Sequence, residues 1–309
     1  MWMKLCSKCG ERAEIELDYA RMHLCDRCFV DFYERKVRET VKKYKMIGKE
    51  DKVAVAVSGG KDSAALLFVL RKLFPDLSIA AVHINVEIPG YSEECEQKFR
   101  ELARIVGVDS IVYNTREKLG ITTPDFQKTV YKDRICSPCG TIKRYLLNKI
   151  ALENGFTKVA TGHNLDDTVE VLFNLYVQGD IQQLVRLRPV APSTHPKLVT
   201  KIKPLIEMTE KENLLYALKN QLPFKEAPCP LASGSRSRER KKLLEMIEGK
   251  MRGFKHTLFS SHVKRILPVL EEGVKLPSFV ECSSCGMPSS EDPCAFCRRI
   301  KMVKGNHED

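Results

Sequence analysis

Six small and charged residues, Ser58-Gly-Gly-Lys-Asp-Ser63, are the strongest candidate for chemistry in this sequence. They follow an apolar run at residues 52–57 and precede a segment whose apolar residues recur at helical spacing. Gly59 and Gly60 let the backbone turn sharply, so that its N–H groups can approach an anion. The N-terminus of the following helix adds further unpaired amides. The stretch therefore predicts a phosphate-binding loop between a strand and a helix.

The loop does not fit a Walker A motif. That motif needs a glycine five residues before its Gly-Lys pair and a hydroxyl residue directly after it. Val55 and Asp62 occupy these two positions. An ordinary strand-to-helix turn also contains glycine pairs, but the switch from strand to helical periodicity at the loop favours a phosphate site.

Eight of the twelve cysteines form four C-x-x-C pairs near the two ends of the chain. Fifteen residues separate the two N-terminal pairs, and eight separate the two C-terminal pairs. Two such pairs can converge on one tetrahedral zinc ion, and four sulfurs leave that ion no open position for catalysis. We therefore expect two structural zinc sites, formed by Cys6, Cys9, Cys25 and Cys28 and by Cys282, Cys285, Cys294 and Cys297.

A fifth pair, Cys136 and Cys139, has no partner pair nearby and begins a predicted helix. Lys143 lies four residues after Cys139, so it projects from the same helical face. A solvated surface lysine is the alternative interpretation. Cys95 has no partner in sequence, and we expect an inert thiol there.

The segment from Thr161 to Asp167 reads Thr-Gly-His-Asn-Leu-Asp-Asp and follows a predicted strand. Gly162 permits a close backbone approach, and Asp166 and Asp167 place carboxylates where Mg²⁺ binding or proton transfer is useful. Aspartates at a helix N-terminus are also common caps, so we expect one of the two to be only that. His83, in another apolar strand, is predicted either to face a nucleotide or to be a satisfied core residue.

Strands alternate with helices through the middle of the chain, which predicts an α/β fold with a doubly wound parallel sheet and ligands at its carboxyl edge. Prolines and polar residues at 181–200 predict a loop. We divide the chain into an N-terminal zinc finger (1–31), a catalytic domain (32–230), a basic helical segment (231–277) and a C-terminal zinc finger (278–309).

The composition favours a cytosolic protein with a polyanionic partner. The 309 residues carry a formal charge of +11, and no apolar run approaches the length of a membrane span. The N-terminal residues lack signal-peptide architecture. Positive charge is concentrated at 234–265, which predicts a phosphate-backbone surface, with a solvated helix face as the alternative. The candidate RNA-binding residues in this run are Arg236, Arg238, Arg240, Lys241 and Lys242.

Taken together, these motifs resemble a known family. The Ser58–Ser63 loop resembles that of the N-type ATP pyrophosphatases (PP-loop superfamily), which split ATP into AMP and pyrophosphate. The C-x-x-C-Gly-Thr-x-Lys run, the Thr161–Asp167 segment, Cys229 in Ala-Pro-Cys-Pro and the terminal cysteine pairs resemble the TtuA group of tRNA 2-thiouridine synthetases over essentially the whole chain.

The resemblance implies a tRNA sulfurtransferase that adenylates the C2 carbonyl of a uridine, expected to be the T-loop 5-methyluridine. It implies a [4Fe-4S] cluster on Cys136, Cys139 and Cys229, with one open iron that takes up sulfide. A persulfide-carrying redox pair is the alternative for the same thiols. Lys143, Asp167 and Asp166 are the catalytic candidates, with Mg²⁺ held by Asp62 or the two aspartates. The implied ATP contacts are Ala56, Ser58, Gly59, Gly60, Asp62, Ser63, His83, Lys143 and Gly162.

Several points stay open on the sequence alone. The resemblance implies a ubiquitin-like sulfur carrier with a C-terminal thiocarboxylate, but the residues do not identify the donor, and a homodimer is left open. Wobble-uridine and cytidine thiolation are the nearest alternatives, because they use the same chemistry. An amidating synthetase has little use for the three cysteines. A non-catalytic zinc RNA-binding protein is the alternative outside enzymes.

Overall fold

The computed structural model describes residues 4–232, 236–275 and 278–305. Ten strands lie at β1 Ile15–Leu17, β2 Met22–Leu24, β3 Lys52–Ala56, β4 Ser78–Asn85, β5 Asp109–Asn114, β6 Lys158–Thr161, β7 Val190–Ala191, β8 Thr200–Ile202, β9 Val280–Glu281 and β10 Pro288–Ser289. The α-helices within these residues are α1 Asp26–Lys43, α2 Lys61–Leu73, α3 Ser92–Val106, α4 Thr115–Leu119, α5 Cys136–Glu153, α6 Leu165–Gln178, α7 Ile181–Leu184, α8 Glu210–Lys219, α9 Arg236–Lys250, α10 Phe254–Ser261, α11 Leu267–Gly273 and α12 Ala295–Gly305.

The central sheet has six strands in the order β5-β4-β3-β6-β8-β7. Strands β3 to β6 and β8 pair in parallel, as the alternation of strands and helices predicts, whereas the edge strand β7 pairs with β8 in the antiparallel sense. From β3 the chain moves outward through β4 and β5, then returns to β6 on the other side of β3. The switch point therefore lies between β3 and β6, where an open α/β sheet forms its ligand crevice.

Each face of the sheet packs on its own hydrophobic core. Val53 and Val55 of β3 belong to the core that also contains α1, α2 and α8 residues. Ala54, with Val82 and Ile84 of β4, belongs to the opposite core, formed with α5 and α12. Burial on both faces explains why β3 and β4 have no polar side in the sequence.

The N-terminal module packs on α8 through polar as well as apolar contacts. The Tyr19 hydroxyl donates to Glu212 Oε1 at 2.5 Å, and Lys36 Nζ lies 3.1 Å from the same oxygen. Glu212 is fully buried and also caps α8 at Thr209. Helix α1 runs across the predicted boundary at 31–32 without a break, so this module leads directly into the catalytic domain.

The C-terminal module packs on α5. The rings of Tyr145 and Phe296 stack with centroids 3.7 Å apart. Arg299 Nη1 donates to Thr141 Oγ1 at 2.6 Å, and its guanidinium lies over the Tyr131 ring. The module therefore supports the helix that begins with Cys136. Its predicted boundary at 277 falls outside the described residues.

The segment 181–200, predicted to be a loop, contains α7, β7 and the first residue of β8. These elements are too short to show a hydrophobic period, which is why the sequence gives no signal for them. Within the described ranges, every helix is too short or too polar to cross a membrane.

Candidate functional site

The phosphate loop has the sharp turn that its glycines predict. Gly59 adopts φ +89°, and a Cβ built there lies 2.8 Å from the Cα, Cβ and O atoms of Cys95 on α3. Ser63 Oγ, in the first turn of α2, accepts from the Ser58 amide at 3.1 Å and donates to the Gly60 carbonyl at 2.9 Å. The turn is thus fixed by its own serine and pressed against α3, which preorganises its amides for an anion.

The loops after β3 and β6 are locked together at the switch point. Asp62 Oδ1 accepts from Asn164 Nδ2 at 3.0 Å and from Asn213 Nδ2 at 2.8 Å. A Cβ at Gly162 lies 3.1 Å from the backbone of Asp62 and Ser63, so this glycine permits close backbone contact as predicted. Two amide donors already occupy one Asp62 oxygen, which weakens its case as a Mg²⁺ ligand.

A cavity of about 90 Å³ opens beside the phosphate loop, with its lining drawn from β3, β4 and α5. Lys143 and Leu147 reach it from α5, and Ala56 and Ser58 from the end of β3. Among the described residues, no carboxylate lies within 4 Å of Lys143 Nζ and no hydrogen bond to it is formed. An unpaired ammonium beside a phosphate loop is suited to hold a phosphate oxygen.

His83 does not line this cavity. Its neighbours Val82 and Ile84 do, and alternation along β4 turns His83 to the opposite face of the sheet. There its ring stacks on Phe99 and is 3 % exposed. Burial lowers the pKa of His83, and Nδ1 donates to the Val57 carbonyl at 2.8 Å. The His83 ring therefore supports the loop from the core, and its predicted contact with ATP stays a prediction.

The two aspartates at the start of α6 have different surroundings. Asp166 is 6 % exposed, and its oxygens accept from Lys255 Nζ at 2.5 Å and from the Glu210 amide at 2.7 Å. Asp167 completes a capping box with Asn164 and keeps a third of its side chain exposed. Asp166 therefore serves the packing of helices, and Asp167 is the better candidate for chemistry.

Asp167 also belongs to a chain of ion pairs that ends at the phosphate loop. Lys241 Nζ lies 2.6 Å from Asp167 Oδ1 and 3.1 Å from Glu210 Oε2. Glu210 in turn lies 2.7 Å from Lys61 Nζ, which also pairs with Asp62. Burial opposes ionisation of Glu210, yet the hydrogen bonds and charges of the two lysines lower its pKa to about 2. Glu210 is thus charged at neutral pH and holds both lysines in place.

Three of the four cysteines outside the terminal modules, Cys136, Cys139 and Cys229, lie near one another. Partial burial raises the pKa of Cys136, and the neighbouring Cys139 and Cys229 thiols raise it further, while Lys143 opposes the rise. Cys139 and Cys229 are half-buried and pack against the same core. Among the described residues, sets of metal ligands gathered within 4.8 Å occur only in the terminal modules, so these three thiols are more widely spread. A four-iron cluster, in which each thiolate binds a different iron, fits this wider spacing.

The eight terminal cysteines form two compact sets. Cys9 and Cys25 have sulfurs 3.6 Å apart, and Cys285 and Cys294 have sulfurs 3.7 Å apart. Tetrahedral zinc with bonds of about 2.3 Å to sulfur separates its ligands by about 3.8 Å. Both sets fit zinc, as the spacing of the pairs predicts.

The predicted RNA-binding residues divide into an inner and an outer group. Arg240 Nε lies 2.5 Å from Glu170 Oε1, a buried carboxylate, and Lys241 joins the ion-pair chain described above. These two cations fasten α9 to α6 and already have carboxylate partners, and their predicted contact with RNA stays a prediction. Arg236, Arg238 and Lys242 are exposed, so the outer face of α9 keeps three cations.

Sequence reasoning missed the residues that brace the loops: Lys61, Asn164, Glu210 and Asn213. Glu210 and Asn213 come about 150 residues after the loop that they hold, and nothing in their local pattern marks them. Only Thr209-x-x-Glu212, a capping-box pattern, signals that a helix begins here.

Comparisons with known proteins identify the family of this chain. Residues 31–246 match a family model described as the PP-loop domain, and residues 5–30 match one described as the N-terminal LIM domain of the 2-thiouridine synthetase TtuA. The chain is similar to the tRNA-5-methyluridine(54) 2-sulfurtransferase of Pyrococcus horikoshii, with 37 % identity over 95 % of this chain and 92 % of that protein. It is 34 % identical to the protein of the same name from Thermotoga maritima, over 97 % of both chains.

A solved structure has the same architecture. The U34-tRNA thiolase NcsA from Methanococcus maripaludis, solved with its [4Fe-4S] cluster, superposes with a TM-score of 0.82 at 28 % identity, over 99 % of this chain and 97 % of that one. The chain therefore belongs to the TtuA family of tRNA 2-thiouridine synthetases within the PP-loop superfamily.

Proposed function

We propose that this protein is a tRNA 2-sulfurtransferase that uses ATP to exchange the C2 oxygen of a uridine for sulfur. One observation supports this most strongly: the phosphate loop, the unpaired Lys143 and the Cys136–Cys139–Cys229 group lie at one edge of one sheet. Relatives of known name carry out tRNA 2-thiolation, and the similarity spans nearly the whole chain.

In the first step, the uridine O2 attacks the α-phosphorus of ATP and pyrophosphate leaves. The amides of Ser58 to Ser63 receive the departing pyrophosphate, and the cavity between Ala56 and Leu147 takes the part of the nucleoside next to the phosphates. Lys143 stabilises the charge that develops on the α-phosphate. Asp167 is our candidate to accept the N3 proton, which the base loses as its O2–phosphorus bond forms, or to hold Mg²⁺.

In the second step, hydrosulfide adds to C2 and AMP leaves with the original oxygen, while the hydrosulfide proton restores N3–H. Cys136, Cys139 and Cys229 are the residues that would hold a [4Fe-4S] cluster. When bound, the cluster supplies an iron with an open coordination position that binds sulfide. We propose that the sulfur arrives from a carrier protein with a C-terminal thiocarboxylate, in the cytosol.

We further propose that the target is the T-loop 5-methyluridine. The two relatives cited above share this target in their names and exceed 30 % identity, whereas the solved wobble-uridine thiolase is 28 % identical. We propose zinc for both terminal modules, with a structural role, because each set of four thiolates closes the coordination sphere.

The test uses anaerobically purified protein, ATP, sulfide and tRNA that carries the T-loop 5-methyluridine but no 2-thio group. We expect pyrophosphate release that depends on tRNA, and mass spectrometry of nuclease fragments should locate the 2-thio group in the T-loop. If the 2-thio group is found at the wobble position instead, the sulfurtransferase activity stands and the proposed target is wrong. Absence of tRNA-dependent pyrophosphate release, with metal present in all sites, would contradict the proposed function.

A further inference from the structure

A second and larger cavity of about 300 Å³ opens at the same edge of the sheet, between β6, β8 and α6. Its walls are mainly carbon, from Leu147, Val159, Val171, Leu187 and Ala191. The volume is at the lower end of the range for small-molecule sites, about 300–1,000 Å³. It has room for a single nucleotide and none for helical RNA.

Three cations surround this apolar space: Arg144 from α5, Lys201 from β8 and Lys203 directly after that strand. In the described part of the chain, no carboxylate lies within ion-pair distance of any of them. Burial lowers the pKa of Lys203 to about 8, since the ammonium loses water and gains no counter-ion. Unpaired charge around an apolar pocket calls for a ligand with an anionic group and an apolar or aromatic body.

The larger cavity adjoins the one beside the phosphate loop. Leu147 lines both, and Asp167 stands in the wall of the larger one. A reactant held in the larger cavity is therefore next to Lys143 and to the proposed proton acceptor. Proximity of this kind is what a reaction between two bound substrates requires.

We propose that this cavity receives the target nucleotide of the tRNA, turned out of its stack, with the base against Leu147 and Val171 and its phosphate on Lys201 and Lys203. The inference rests on the proposed function, and it names the place where the RNA substrate reacts. A base removed from its stack loses aromatic contacts, and the apolar walls offset that loss. The cations neutralise a backbone phosphate that must enter with the base.

The first variant, Lys201→Met/Lys203→Met, removes both charges and keeps the length of the side chains. We expect kcat/KM for tRNA-dependent pyrophosphate release to fall by about 10- to 100-fold, the range for losing hydrogen bonds to a charged group. The second variant, Val171→Trp, fills the cavity from a residue that is 40 % exposed, so the fold tolerates it. We expect the same loss in kcat/KM for Val171→Trp, mainly through kcat. Its tRNA affinity in a filter-binding assay should change less than about threefold, because the RNA contacts outside the cavity remain.

Lys118→Met is the matched control, because Lys118 is exposed on α4 at the far end of the sheet. It makes the same change of charge and should leave the rate unchanged. ATP affinity, measured without tRNA, distinguishes whether the cavity binds a nucleotide of the tRNA or ATP. Unchanged ATP affinity in the Val171→Trp and double-lysine variants supports a tRNA nucleotide, whereas a loss of tenfold or more assigns the cavity to ATP and overturns the inference.

The failure of this inference is distinguishable from failure of the proposed function. If the wild-type protein releases pyrophosphate with tRNA and both variants match it, the cavity is not the nucleotide site, although the thiolase activity stands. If the wild-type protein releases none, the proposed function fails and the inference fails with it. Circular dichroism melting curves for each variant check that the fold is retained.

Discussion

Replacing Gly59 by alanine tests the preorganised phosphate loop most directly. Its φ of +89° lies where side chains other than glycine are strained, at a cost of about 1–3 kcal/mol. The new Cβ also meets three atoms of Cys95 at 2.8 Å, two of them in the main chain. Cys95 lies within α3, so its backbone cannot retreat without unwinding that helix. We therefore expect the loop itself to move.

The loop must return to its original shape to bind phosphate, so the strain appears as lost ATP affinity. At about 1.4 kcal/mol per tenfold change, 1–3 kcal/mol corresponds to about a 5- to 150-fold weaker Kd. Isothermal titration calorimetry with a non-hydrolysable ATP analogue measures that Kd. Urea denaturation measures the free energy of unfolding on the same protein, which we expect to fall for any strain that the loop does not release.

Gly60→Ala is the matched control in the same turn. Gly60 has φ −93°, and its Cβ meets only Ser58 Oγ at 3.6 Å, so its unfolding free energy should change by less than about 0.5 kcal/mol. Adding Cys95→Ala to Gly59→Ala should not restore ATP binding, because main-chain atoms make the clash. If Gly59→Ala binds the analogue and unfolds like the wild type, the requirement for glycine at this turn and its close contact with Cys95 are wrong.

Three further results are expected. Cys229→Ala should abolish thiolation while tRNA affinity and the metal content of the terminal modules stay unchanged, and full activity would remove the three-thiol group from the reaction. Arg240→Gln leaves buried Glu170 unpaired and should destabilise the protein by about 3–5 kcal/mol in urea, whereas Arg238→Gln should spare stability and reduce the salt dependence of log Kd for tRNA by about one unit. Arg299→Met removes the donor to Thr141 and should lower thiolation severalfold with ATP affinity retained; equal activity of the wild type and this variant would show that α5 needs no such support.

The sequence predicts a functional site well where the residues of that site are adjacent in sequence. The Ser58–Ser63 loop, Gly162 and the terminal cysteine pairs are short contiguous patterns, and the structure places each where its pattern indicates. The parallel sheet follows from the alternation of apolar strands with helices, because such strands have to be buried on both faces.

The same burial hides the direction of individual side chains. A strand with no polar face, such as β4, does not show whether His83 points to the ligand or to the core, and only packing against α3 decides it. Long-range ion pairs are hidden as well. Glu170 lies seventy residues before Arg240, so a run of cations predicts charge but not which of its members are already paired.

The two-sided arrangement of α9 has a practical consequence for studies of RNA recognition. Its outward cations and its inward Arg240 and Lys241 alternate within seven residues. Neutralising the whole run as a block would remove the outward cations and also break the ion pairs that hold Lys61 and Asp167 in place. Loss of activity in such a block variant therefore does not by itself indicate a defect in RNA binding. Single substitutions of the outward residues are needed to separate recognition from catalysis.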